Sequence, residues 1–237
     1  MGKNLKQQRR GRGTAVFRAL SRRSVGRIQH VKNLNQNISG NVIDLVKCPM
    51  HYAPIAQIKY NNGEDGFVFA PEGMKVGDEI QVGTNVEMKP GNSTELKNIP
   101  EGTLIYNIES QPGDGGKFCR TNGTFARLVA KLPDSITIIL PSKKEKKFCP
   151  DCRANIGIIA GSGRKEKPFL KAGNKHYAMR ARNKFWPVVN GNSMNAVAHP
   201  FGGGSSHRHK CPRQSSRDAP PGRKVGSIAP SRTGKKR

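Results

Sequence analysis

The positive charge of this 237-residue chain is confined to its two ends. Lys and Arg number 42 against 16 Asp and Glu, a formal charge of +26. Residues 1–32 hold ten Lys or Arg and no acid, residues 161–237 hold eighteen against Glu166 and Asp218, and residues 33–160 hold fourteen of each sign. The whole excess therefore flanks a neutral centre. A charge of this size repels itself unless a polyanion neutralises it. The centre can fold alone, whereas the flanks need an anionic partner. Because only 34% of the chain is hydrophobic and 6% aromatic, one large core is not expected.

No apolar run approaches the ~20 residues of a membrane span. The opening "MGKNLKQQRRGRG" is basic with no apolar stretch behind it, unlike a secretory signal, and "MGKNLK" lacks the Ser or Thr of a myristoylation signal. Five cysteines in such a chain point to reduced thiols or metal ligands rather than disulfides. A soluble intracellular protein without membrane partners is expected.

The flanks contain spaced Gly, Pro and aromatic residues, as in "KPFLKAGNKHYAMRARNKFWP", whereas solubilising tails are of low complexity. Nucleic acid fits as the polyanion. Phosphate is neutralised by Lys and Arg with release of counterions, and Tyr177, Phe185 and Trp186 could stack on bases or pack locally instead.

The neutral centre reads as short β segments about ten residues apart, at 41–47, 53–60, 65–71, 77–83, 102–109, 123–132, 135–141 and 155–161. Turn signals such as "NNGEDG", "PEG", "KPGN" and "PGDGG" separate most of them. This spacing predicts small antiparallel barrels rather than βαβ units. "MKPGN" at 88–92 splits the set into two groups, so two small barrels in series are expected, an oligonucleotide-binding barrel being one match in size. No amphipathic helix longer than two turns is expected in the centre.

"HPFGGGSSHRHKCP", His199–Pro212, could be a phosphate cradle, a metal site or a catalytic loop. It lacks the GxxxxGK[ST] spacing and no strand precedes it, which argues against a nucleotide triphosphate site. Residues without Cβ do allow backbone and phosphate to come close, so Gly202, Gly203 and Gly204 are read as a tip that approaches RNA.

"QQRRGRGTAVFRA", "NIPEGTLIYNIESQPGDGGKFCRTNGTFARLVA", "DCRANIG", "KAGNKHYAMRARNKFWP", "MNAVAHPFGGG" and "APPGRKVGSIAPSRTG" occur in order along the chain. Together they resemble the universal large-subunit ribosomal protein family numbered two, in its archaeal form. The resemblance implies an all-β fold, an oligonucleotide-binding (OB) barrel followed by an SH3-like barrel, with long basic irregular N- and C-terminal extensions. The divisions expected are a basic extension at 1–35, the OB-fold barrel at 36–88, the SH3-like barrel at 89–160 and a second basic extension at 161–237. The implied role is structural rather than enzymatic: binding of large-subunit ribosomal RNA, support of assembly, subunit association and the peptidyl transferase region during translation, in cytoplasmic ribosomes. Implied partners are that RNA, other ribosomal proteins and the small subunit across the interface.

The RNA contacts expected in the N-terminal extension are Arg9, Arg10, Arg12, Arg18, Arg22 and Arg23. Those in the C-terminal extension are Arg180, Arg182, Lys184 and Trp186, then His199 with Gly202, Gly203 and Gly204, then Arg208, Lys210, Arg213, Arg223 and Lys224. The family pattern "HPHGGG" is "HPFGGG" here, with Phe201 for the second histidine and Ala198 where an acid or amide often precedes the first. His199 thus loses an orienting neighbour, and it is read as an RNA contact rather than a catalyst.

"CPMH" (Cys48, His51) and "CPDC" (Cys149, Cys152) each have the two-residue spacing of a zinc half-site. One Zn2+ held by all four residues is one reading, a site using His207, His209 and Cys211 is another, and a surface turn with incidental thiols is the third. Cys119 is expected to be a buried small apolar residue. Two other functions compete. A DNA-compacting protein would carry its charge on the folded surface, and an RNA-processing metalloenzyme would need clustered carboxylates, whereas those of the centre are scattered in turns.

Overall fold

The computed structural model describes residues 2–31, 37–204 and 213–231. The alternating segments of the centre form ten strands. The first four are β1 (Ile38–Val46), β2 (Ile55–Tyr60), β3 (Asp65–Phe69) and β4 (Glu79–Val82). The next six are β5 (Ser93–Glu95), β6 (Leu104–Tyr106), β7 (Ala126–Lys131), β8 (Ile136–Ile139), β9 (Glu145–Phe148) and β10 (Arg153–Ile156). Their order is β3-β2-β1-β4-β5-β10-β6-β7-β8-β9.

Every pairing in this sheet is antiparallel except β4 with β5, which meet in parallel at Val82 and Ser93. That narrow junction divides the strands into β1–β4 and β5–β10, each closed over its own apolar cluster. Val42, Ile58, Tyr60, Val68 and Ile80 fill the first, and Leu96, Ile105, Leu128, Ile138 and Phe148 fill the second. The fold is all-β, an OB barrel followed by an SH3-like barrel.

A third cluster, with Ile28, Ile55, Phe69, Tyr106 and Ile159, draws on both groups, and the Tyr106 hydroxyl donates to the Phe69 carbonyl at 2.9 Å. Strands β5 and β9 are absent from the sequence expectation for opposite reasons. β5 is polar yet buried at Ser93 and Thr94. β9, "EKKF", is an edge strand that buries only Phe148 and presents charge to water, a usual protection of a sheet edge.

The chain forms two compact units, Ser21–Pro168 and Met1–Leu20 with Phe169–Arg237. The second unit contains α1 (Lys6–Gly11), α2 (Ala172–Ala181) and a parallel pair, β11 (Gln214–Ser215) with β12 (Ser227–Ile228). Neither helix was expected. α2, "AGNKHYAMRA", is rich in Ala and long unbranched side chains, which favour helix, and it buries none of its residues. A helix exposed on all sides gains little from packing.

Candidate nucleic-acid interface

At the start of α1, the Gln8 side chain accepts a hydrogen bond from the Leu5 amide at 2.8 Å and closes the first turn. Arg9 and Arg10 follow on the helix, both exposed, with no acid in the first turn. Arg18 Nε donates to the Gly13 carbonyl at 2.5 Å. α2 ends where Asn183 turns left-handed at φ 50°, and the amides of Arg182 and Lys184 both donate to the Met179 carbonyl, a common helix stop. The Asn183 side-chain amide then donates to the carbonyls of Ala15 and Arg18 at 2.6 and 2.7 Å. One asparagine thus fastens the N-terminal segment to the end of α2.

Phe17 and Phe185 pack with ring centroids 5.9 Å apart, and Lys6 Nζ lies 4.6 Å from the Phe185 centroid. Phe185 is therefore a local anchor. Trp186 packs beside His176 and Lys175 and is half-buried, whereas Tyr177 keeps 68% of its surface exposed. Arg180 and Lys184 are exposed and Arg182 is half-buried. Arg12, Arg18, Arg213 and Arg223 are exposed and Lys224 is half-buried. Arg22 and Arg23 are exposed on a short turn of the other unit. Arg208 and Lys210 lie outside the described residues, as do His207, His209 and Cys211.

His199 Nδ1 accepts the Phe201 amide at 3.0 Å, and the two rings lie 5.1 Å apart. Burial and the neighbouring Lys6 ammonium lower its pKa, favouring the neutral ring. With Nδ1 an acceptor, the proton of that ring sits on Nε2. Gly202 and Gly203 have a role beyond the close approach to RNA. A Cβ on Gly202 would collide with the carbonyls of Met194 and Asn195, and one on Gly203 would lie 2.9 Å from Ala196 Cβ at φ +77°. The Gly203 amide donates to the Met194 carbonyl at 3.1 Å. These two glycines are required by the chain's own turn, while Gly204 is exposed.

The four proposed zinc ligands are not brought together. Cys48 is buried in the third cluster, with His51 Nδ1 3.2 Å from its Sγ. Cys152 is buried in the SH3-like core and Cys149 is exposed. Among the described residues no three His, Cys, Asp or Glu side chains are grouped to hold a metal ion. Each half-site packs its inward thiol among its own apolar neighbours. Burial pushes the Cys152 thiol up to about 11, away from the thiolate that binds metal. Cys119 is half-buried and packs against two of the core clusters.

Net charge concealed a further basic feature. Lys143, Lys144, Lys146 and Lys147 are exposed within five residues around the turn from β8 into β9, accompanied only by Glu145. Lys146 Nζ lies 4.1 Å from the Phe118 ring centroid. The run "KKEKK" could have been read from the sequence, had charge been counted locally rather than across the centre.

Residues 2–82 match the family described as ribosomal proteins L2, RNA binding N-terminal domain, and residues 89–222 match its C-terminal domain. The chain is 49% identical over 236 residues to the large ribosomal subunit protein uL2 of Haloquadratum walsbyi, covering 99% of this chain and 97% of that one. It is 48% identical over 241 residues to the protein of the same name from Methanothermobacter thermautotrophicus, covering both chains in full. The two matched domains and this identity along the full length are the resemblance first read from the ordered sequence blocks, and the chain belongs to the ribosomal protein L2 family.

Proposed function

We propose that this chain is a structural constituent of the large ribosomal subunit. It binds large-subunit ribosomal RNA, supports assembly and subunit association, and props the peptidyl transferase region without taking part in chemistry. Its place is in cytoplasmic ribosomes, among other ribosomal proteins and against the small subunit. The two barrels, 36–88 and 89–160, form the folded body, and the basic segments 1–35 and 161–237 follow RNA.

The observation that carries this reading is the makeup of the second unit. α2 buries nothing, its surroundings are rich in Arg and Lys, and Glu166 and Asp218 are the only acids from residue 161 onward. A segment with so little apolar burial gains its order from a partner, and its charge selects phosphate. Binding of the purified chain to large- and small-subunit ribosomal RNA at one salt concentration tests the reading. Tighter binding to the large-subunit RNA is expected; equal affinity for both would reduce the chain to a general polyanion binder.

A further inference from the structure

A cavity of about 380 Å3 opens in the second unit between residues 3–10 and residues 188–199, within the size range of small-ligand sites. Its walls divide by chemistry. Leu5, Val188, Val189 and Met194 supply apolar surface, and Val188 and Val189 remain 66% and 51% exposed, an unusual choice in a segment this basic. Lys6, Arg9 and Arg10 rim the same cavity. His199 also lines it, with Nδ1 occupied by the Phe201 amide, so that the ring presents Nε2–H as a donor.

We infer that this cavity receives one unstacked nucleotide of the RNA, its base against Val188, Val189 and Met194 and its phosphate at Lys6, Arg9 and Arg10. A base is flat and apolar on its faces, and its edges carry acceptors, which the His199 donor can read. A bare phosphate would leave the valines without purpose, and an apolar peptide would leave three cations unpaired. The inference rests on the RNA-binding reading and deepens it, since sequence-specific RNA recognition favours bases splayed from the helix.

Val189→Trp fills the cavity while leaving every cation in place. Full-length wild-type and variant chains would be bound to large-subunit ribosomal RNA, and each base probed for chemical reactivity. In the wild-type complex one base should be shielded at its edge, and in the variant complex that base should become reactive. Affinity should fall about tenfold, the scale of one lost stacking contact, with the salt slope unchanged because phosphate contacts persist. The wild-type measurement stands whether or not the variant folds: a complex in which no base is shielded at this site overturns the pocket. RNA binding with identical reactivity in both complexes also overturns it. A wild-type chain that fails to bind the RNA contradicts the broader RNA-binding reading as well.

Discussion

Arg153 meets Glu109 at 3.0 Å with 5% and 0% of the two side chains exposed, an ion pair sealed between the strands of the SH3-like barrel. The carboxylate also accepts the amides of Gly113, Gly115 and Arg153 at 3.0–3.2 Å, and Arg153 reaches the Val31 carbonyl. Burial alone would raise the Glu109 pKa, but the hydrogen bonds from Arg153 and the charges around it hold it below the ordinary carboxylate value. The pair orders the "PGDGG" loop and clamps the end of the N-terminal segment onto the barrel. Removing one member leaves the other charged and buried.

Glu109→Ala should therefore destabilise the folded chain by about 3–5 kcal/mol. Asp151→Asn, which breaks the exposed Lys97–Asp151 pair, should change stability little. Denaturant titration of both variants checks this. Equal effects would mean that burial of the Glu109 pair carries no special weight.

His30 is buried, with Nε2 2.7 Å from the Asn107 carbonyl and Nδ1 2.9 Å from the Ser93 hydroxyl. Nε2 donates and Nδ1 accepts, so the ring is neutral. Burial, its largest influence, lowers the pKa to about 4. In the unfolded chain the ring takes its proton near pH 6.5, so between that pH and about 4 the unfolded state binds more protons. Stability is fully present above pH 6.5 and is lost as pH falls, by up to about 3 kcal/mol from this group. Melting temperature measured from pH 7.5 to 4.5 should drop in that window, with a shallower slope in His30→Gln. An unchanged slope in the variant would assign the effect to other groups.

Much of this architecture was open to inspection in the sequence. Alternating segments with Gly and Pro between them marked eight strands, because each buries one face. β9 was missed because an edge strand with a single buried side chain, Phe148, has no apolar alternation. β10 was placed two residues late because Arg153, a charged residue, is buried there by its pairing with Glu109. The arginines of the extensions were legible as phosphate partners. The cavity between residues 3–10 and 188–199 was not, because it joins segments far apart in the chain.

Gly202→Ala and Gly203→Ala should perturb the turn without any RNA present, since their Cβ atoms would meet the chain itself. Gly204→Ala should leave the free protein unchanged and weaken RNA binding alone. Amide spectra of the free variants, paired with RNA titrations, separate the two effects. A perturbed free Gly204→Ala protein would place this glycine with the other two.

Replacing Arg9 and Arg10 by Ala should reduce the slope of log affinity against log salt by about 1.4–1.8, two phosphate contacts at 0.7–0.9 each. An unchanged slope would mean that these exposed arginines face water in the complex.

Sedimentation is the most direct measurement of the central claim. The tagged full-length chain, expressed in cells and followed through a sucrose gradient at low salt, should travel with large subunits and with joined ribosomes, and should be absent from free small subunits. Recovery only at the top of the gradient, or spread evenly over both subunits, would contradict a place in the large subunit.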